Sequence, residues 1–226
     1  MQKELLITND GSHTVSIPSM GVTYHSHHGA IQESMHVYIN AGLDPYLQNH
    51  PTKKPLSIFE MGFGTGLNAL LTLIRTEHLQ QPIIYETIEL FPIESEMVDS
   101  LNYCNTLNRP DLEPVFLSLH RSDWEKEIEI NRYFTLKKFR RSMHDFEQGK
   151  NYDIVYFDAF SPVEQPALWT SDIFSKVFGT MKEGGVFVTY CSKSVVRRNL
   201  DSVGFDVKKI PGPRGKREMI VATKTV

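Results

Sequence analysis

The chain has 226 residues, 40% of them hydrophobic, and a formal net charge of −3. That length suits one full α/β core, and the near balance of charge excludes a wholly basic nucleic-acid-binding chain. Only Cys104 and Cys191 are present, so a disulfide framework is excluded and structural zinc is not expected; the N-terminus lacks a secretory apolar core and no apolar run reaches membrane-span length, which makes a reducing, cytoplasmic setting without a membrane partner the expectation.

The charge is unevenly spread. Residues 193–217 carry eight basic residues against Asp201 and Asp206, a net +6 that leaves the rest of the chain at −9. A second basic island holds Arg132, Lys137, Lys138, Arg140 and Arg141. Two such islands on an acidic chain suggest an anionic partner, although charge runs are commonly just solvated faces.

Residues 1–50 do not read as part of a doubly wound sheet. Leu5-Leu6-Ile7 and Val15-Ser16-Ile17 flank Thr8-Asn9-Asp10-Gly11-Ser12, a hairpin signal. Gly21 to Tyr24 can add a short strand, and Ile31 to Ile39 fits a strand or a helix. This segment is expected to be a β appendage that walls one side of a site, followed by a main domain over residues 51–226. His25, His27 and His28 cluster here without further ligands at metal spacing, so they read as exposed loop histidines.

The main domain opens with a short apolar run, Ser57-Ile58-Phe59, ending on Glu60; Gly62, Gly64 and Gly66 follow, and then a helical pattern over 67–79. Strand, glycine-rich turn and helix in this order place backbone N–H groups where a ligand approaches. The spacing Gly-x-Gly-x-Gly differs from the dinucleotide fingerprint. It resembles the first motif of the class I S-adenosyl-L-methionine methyltransferases. Ile83 to Glu89 is the second strand; an acid at its end, Glu89, can accept both ribose hydroxyls of a nucleoside cofactor. A helix over 94–107 comes next. Residues 111–150 are ambiguous: 115–119 fits strand or helix, 123–130 and 133–138 alternate as strands do.

Tyr152 to Phe157 is near-continuously apolar, as a strand buried on both faces should be, and it ends on Asp158-Ala159-Phe160-Ser161-Pro162. An acid at this strand end, before a Pro-stiffened loop, is the expected seat of chemistry. A helix from Pro166 to about Met181, a strand over 186–190, a helix over 194–203 and a terminal hairpin, 205–210 with 218–222, complete the pattern.

Four blocks carry a more specific resemblance: Gly62-Phe-Gly-Thr-Gly-Leu-Asn68; Ile88-Glu-Leu-Phe-Pro92; Phe157-Asp-Ala-Phe-Ser-Pro162 with Pro166-Ala-Leu-Trp-Thr170; and Val196-Arg-Arg198 to Gly204-Phe205 with Gly215-Lys-Arg-Glu-Met219. Together they resemble the tRNA 5-methylaminomethyl-2-thiouridine methyltransferases, the methyltransferase half of a bifunctional wobble-uridine enzyme. The resemblance implies a Rossmann-like α/β fold with a mostly parallel sheet and a terminal antiparallel hairpin. It implies S-adenosylmethionine bound by Glu60, Gly62, Gly64, Gly66, Asn68 and Glu89, with Asp145 as the candidate acid for the adenine amine. It implies a tRNA anticodon loop as partner and Asp158 as the catalytic group. Phe160 and Pro162 would pack on the uracil, while Arg197, Arg198, Lys216 and Arg217 would hold phosphates. No flavin fingerprint and no metal set are evident, so a stand-alone methyltransferase is the expectation. A small-amine methyltransferase, an aminopropyltransferase of the spermidine-synthase type, and a non-enzymatic RNA-binding module, which would leave Glu60, Glu89 and Asp158 unexplained, are the competing readings.

Overall fold

The computed structural model describes residues 2–146 and 151–225. Strands β1 (Glu4–Ile7), β2 (His13–Ile17) and β3 (Val22–Thr23) form a small antiparallel sheet. The hairpin expected at Asn9-Asp10-Gly11 joins β1 to β2, with Gly11 at φ +84°. The β reading stops there. Ala30 to Asn49 is one continuous helical stretch, made of α1 (Ala30–Ser34), a π-helical segment (Met35–Leu43) and α2 (Asp44–Asn49). Its buried residues, Ala30, Val37, Ile39 and Leu43 among them, pack in the same hydrophobic cluster as the central strands. Gly42 lets this stretch lie flat on the sheet: a Cβ there would stand 3.2 Å from Val188 Cγ2.

The central sheet has eight strands. In chain order they are β4 (Leu56–Met61), β5 (Ile83–Ile88), β6 (Glu127–Asn131), β7 (Phe134–Phe139), β8 (Tyr152–Phe157), β9 (Met181–Thr189), β10 (Phe205–Pro211) and β11 (Glu218–Lys224). Their spatial order is β10-β11-β9-β8-β4-β5-β7-β6. The five inner strands β7, β5, β4, β8 and β9 are parallel, and β6, β11 and β10 run antiparallel to their neighbours. β8 is buried along its whole length. Ile154 and Tyr156 face one layer of the core, while Val155 and Phe157 face the other. Strand order reverses between β4 and β8, the point at which open α/β sheets bind ligands.

The remaining helices are α3 (Leu67–Leu79), α4 (Ser95–Asp99), α5 (Tyr103–Thr106), α6 (Glu113–Arg121), α7 (Ser171–Thr180) and α8 (Ser194–Ser202). The single helix expected over 94–107 is thus broken in two. Asn102 sits at the break: its amide oxygen accepts the His13 N–H (2.8 Å) and its amide nitrogen donates to the Gly11 carbonyl (2.8 Å). Docking of the N-terminal hairpin replaces helical hydrogen bonds at that point. The ambiguous stretch resolves as helix α6 followed by the hairpin β6–β7. Glu183-Gly184-Gly185, which as a sequence reads as a turn, is an irregularity inside β9, where the register with β8 shifts and Gly184 has φ +73°.

Candidate active site

A cavity of about 870 Å³ opens at the carboxyl ends of β4, β5 and β8. That is within the ordinary size range of a small-molecule site. At its floor the turn after β4 runs through Gly62 (φ +92°), Gly64 (φ +50°) and Gly66 (φ +71°), a left-handed backbone that L side chains rarely adopt. Space is equally restrictive, since a Cβ on Gly62 would lie 2.8 Å from the Asp158 carbonyl oxygen. The turn is tied to the next strand end by Glu89. One carboxylate oxygen accepts the Gly64 N–H (3.1 Å) and the other accepts the Phe91 N–H (2.8 Å).

Glu60 occupies a different place from the one its position in the motif suggests. It is fully buried and lies under the cavity rather than in its wall. Burial, and then the charge of Asp158, raise its pKa well above the carboxylate range, with Asn68, Thr87 and Tyr85 opposing the shift. Burial thus favours its neutral form. Asn68 links this layer to the cavity, donating from Nδ2 to Asp158 Oδ2 at 2.8 Å.

Asp158 lies in the cavity wall at the end of β8. Burial raises its pKa, and the charge of His25 and the hydroxyl of Tyr38 and amide of Asn68 beside it work against that rise. Asp153, at the start of the same strand, shows the contrast. Its carboxylate is saturated by Tyr46 Oη (2.9 Å), the Ser57 N–H (2.8 Å) and Lys182 Nζ (2.7 Å), which makes it a structural tie. The loop after Asp158 is braced: Trp169 Nε1 donates to the Phe160 carbonyl (2.7 Å) and the Phe160 N–H donates to Gln165 Oε1 (3.0 Å). The Phe160 ring meets Tyr24 edge-on, with centroids 5.1 Å apart.

The opposite wall comes from the N-terminal residues. His25, Glu33 and Tyr24 line the cavity. Glu33 is buried, accepts the Ser26 N–H (2.7 Å) and pairs with Lys216. Lys216 reaches in from the loop between β10 and β11, and its amine lies 4.0 Å from the centroid of the Tyr190 ring. The histidine cluster is thus divided. His27 and His28 are exposed, whereas His25 is buried, and the loop reading does not hold for it. Among the described residues no group of three or more His, Cys, Asp or Glu could hold a metal ion.

Several expected site residues lie elsewhere. Asp145 is exposed on the short turn Met143–Asp145, outside the cavity wall; Arg140, Arg141, Ser142 and Met143, directly after β7, line it instead. Arg197, Arg198 and Arg217 are exposed and outside the cavity, as Pro162 is outside it, whereas Phe160 and Lys216 belong to its wall. The second basic island is not one face. Lys138 is fully buried, its amine 4.7 Å from the Trp124 ring centroid and 5.5 Å from that of Phe63, and burial pushes its pKa down to about 8. Alternation along β7 turns it inward while Lys137 points the other way.

The profile of an S-adenosyl-L-methionine-dependent methyltransferase family matches residues 116–225. The tRNA 5-methylaminomethyl-2-thiouridine biosynthesis bifunctional protein MnmC of Nitrosospira multiformis is 30% identical over 213 residues, covering 88% of this chain and 34% of that protein. The Burkholderia multivorans MnmC is 30% identical over 236 residues, covering 96% and 34%. The crystal structure of MNMC2 from Aquifex aeolicus superposes with a TM-score of 0.80 at 26% identity, covering all of this chain and 71% of that one. The chain is thus similar over most of its length to MnmC proteins, and over residues 116–225 to the S-adenosyl-L-methionine-dependent methyltransferase model. It spans about a third of the length of the MnmC proteins it matches. A spermidine synthase from Thermotoga maritima, with a TM-score of 0.54 at 11% identity, shares the fold alone. The matching family model is one of S-adenosyl-L-methionine-dependent enzymes, and the cavity suits that donor. The glycine turn, packed too closely on Asp158, Tyr24 and His120 to carry side chains, leaves bare backbone at the cavity floor, and Thr65 Oγ1 and Asn68 Oδ1 are buried beside it without a partner among the described residues. Sequence reasoning missed His25, Glu33 and Tyr38.

Proposed function

We propose that this chain methylates the primary amine of 5-aminomethyl-2-thiouridine at the wobble position of tRNA, giving 5-methylaminomethyl-2-thiouridine. The observation that carries the reading is a single cavity that runs from the glycine turn and Glu89 to Asp158 and the ring of Phe160. A nucleoside cofactor and a second, aminated nucleoside can share such a space. Bound S-adenosyl-L-methionine supplies an electrophilic methyl group. Glu89 holds the ribose hydroxyls and Gly62 to Gly66 accommodate the close approach of the cofactor. Asp158 accepts a hydrogen bond from the substrate amine and aims its lone pair, so that positioning supplies most of the acceleration. Phe160 packs against the uracil, which must leave the anticodon stack to reach the cavity. Arg197, Arg198 and Arg217 lie outside the cavity and suit backbone phosphates.

The reading is tested with methyl-labelled S-adenosyl-L-methionine and two tRNA samples, one carrying 5-aminomethyl-2-thiouridine and one fully modified. Label is expected in the first alone, at the exocyclic amine after digestion to nucleosides. Label at another nucleoside, or none in tRNA, would overturn the assignment of substrate.

A further inference from the structure

We propose that His25 is the base that takes the proton from the acceptor amine, with Asp158 facing it across the same pocket. This rests on the amine-methylation reading above and assigns it a group that the strand-end acids do not supply. An aliphatic amine enters as an ammonium ion, which has no lone pair, so one proton must leave before methyl transfer.

His25 is placed and held for this. It lies in the cavity wall and is 7% exposed. Its backbone is clamped from two strands: the N–H donates to Thr14 Oγ1 (2.9 Å) and the carbonyl accepts from Thr23 Oγ1 (2.8 Å). Its ring Nδ1 is buried with no hydrogen-bond partner among the described residues. Nδ1 is closed to the cavity space and, left without a partner, makes a charged ring costly; the nitrogen left to meet the acceptor is Nε2, which is not among the buried unpartnered atoms.

The charged groups facing the ring come from four separate segments. Asp158 at the end of β8, Glu33 on α1 and Asp10 in the β1–β2 turn favour the imidazolium, and Lys216 opposes it. Burial outweighs them and lowers the pKa from the ordinary histidine value, so the ring is neutral and able to accept at pH 7. Once protonated it sits beside two carboxylates, Asp158 and Glu33. The step balances. The ammonium proton passes to the imidazole, and the N–H electron pair stays on nitrogen and forms the new N–C bond. The methyl–sulfur bond breaks with its pair left on sulfur, and the imidazolium proton leaves to water as product departs.

The test uses the full chain with His25→Gln and His25→Gly. Single-turnover methylation of the aminomethylated tRNA is followed from pH 5 to 10 (about that range, to span histidine and amine titration). The wild type is expected to lose rate as the ring protonates. In His25→Gln the rate at pH 7 falls roughly 10²-fold and the limb moves at least about one unit alkaline. Cofactor affinity by calorimetry stays unchanged, and added imidazole restores part of the His25→Gly rate. An unchanged rate and limb in His25→Gln, or a loss traced wholly to cofactor affinity, would overturn the proposal. A second readout needs no acceptor: NMR titration of the His25 ring, whose midpoint should drop in Asp158→Asn, because a carboxylate that favours the imidazolium has gone. An unmoved midpoint would refute the pairing. A wild type inactive on the aminomethylated tRNA would break the substrate reading instead, and the titration would still decide the pair.

Discussion

The two ends of the cavity are made in different ways. At one end, Gly62, Gly64 and Glu89 come from the carboxyl ends of β4 and β5, two adjacent parallel strands less than thirty residues apart. At the other, Asp158 has His25, Glu33 and Tyr38 beside it and shares the cavity with Tyr190 and Lys216; these come from the segment after β3, helix α1, the π-helical stretch, the residue after β9 and the loop of the terminal hairpin. The first end is what any open α/β sheet offers at its switch point. The second is assembled from pieces added to that sheet, and it differs correspondingly in chemistry, with buried acids, a buried histidine and aromatic rings. The π-helical segment Met35–Leu43 belongs to this second end, since it brings Tyr38 beside Asp158. Single π-type turns are common where a side chain must be aimed at a site.

The comparison is broken most sharply at Asp158. If the two ends have separate duties, Asp158→Ala should lower turnover by about 10²-fold or more while calorimetric affinity for S-adenosyl-L-methionine stays near that of the wild type. A variant that methylates at the wild-type rate would leave Asp158 as only the partner of Asn68 Nδ2.

The converse change is Glu89→Ala. Its carboxylate holds the Gly64 and Phe91 N–H groups, so its loss loosens the cofactor end and removes the proposed ribose contacts. Cofactor binding should weaken by about 1–3 kcal/mol, with turnover at saturating cofactor largely kept. Unchanged affinity in a folded variant would remove the ribose assignment.

Glu60 sharpens the comparison from below, because it lies between the ends and touches neither ligand space. Its pKa is raised in the folded chain, so the native state holds a proton that the unfolded chain releases near 4.5. The native state gains from this fully below that value and loses it as pH rises toward the folded value. Glu60→Gln mimics the neutral acid. It should match the wild type at pH 4 and become relatively more stable as pH rises, by at most about 1.4 kcal/mol per unit. Denaturant midpoints measured across pH check this; parallel curves for the two proteins would mean that Glu60 is ionised.

The two ends were also unequally legible in the sequence. The parallel core, the glycine turn, Glu89 and Asp158 follow from local patterns: an apolar run, glycines where φ is positive, an acid at a strand end. These are short-range properties. His25 and Glu33 could not be read because their roles arise from where the N-terminal segment packs, some 130 residues away in sequence from Asp158. The helical stretch at 30–49 was ambiguous for a related reason. Ile31 to Ile39 has apolar residues on more than one side, since both helix α3 and the central sheet pack against it. Lys138 was taken as surface charge because composition records a cation but not the face of the strand that carries it. Asp145 was assigned by analogy, and the wall directly after β7 holds Arg140 and Arg141 instead.

The smallest expected effect concerns the exposed cations outside the cavity. Lys216 was grouped with Arg217, yet it pairs with Glu33 inside the cavity wall, while Arg217 and Arg214 are exposed on the same loop. Neighbouring positions therefore divide between the two regions. Replacing Lys216 should disturb the pocket, whereas replacing Arg214 and Arg217 together by Ala should leave cofactor affinity and pH profile alone. If these arginines hold backbone phosphates, the double variant binds tRNA more weakly, and the plot of log affinity against log salt flattens by roughly 0.7 per lost single-strand contact. Arg197 is a useful control, because Asp201 lies 3.5 Å from it and already offsets part of its charge. Its replacement should change the slope less than loss of Arg217 does. Filter binding at four or five salt concentrations measures both. An unaltered slope in the Arg214/Arg217 variant would confine this loop's contribution to Lys216, and the search for phosphate contacts would move to Arg140 at the opposite rim of the cavity.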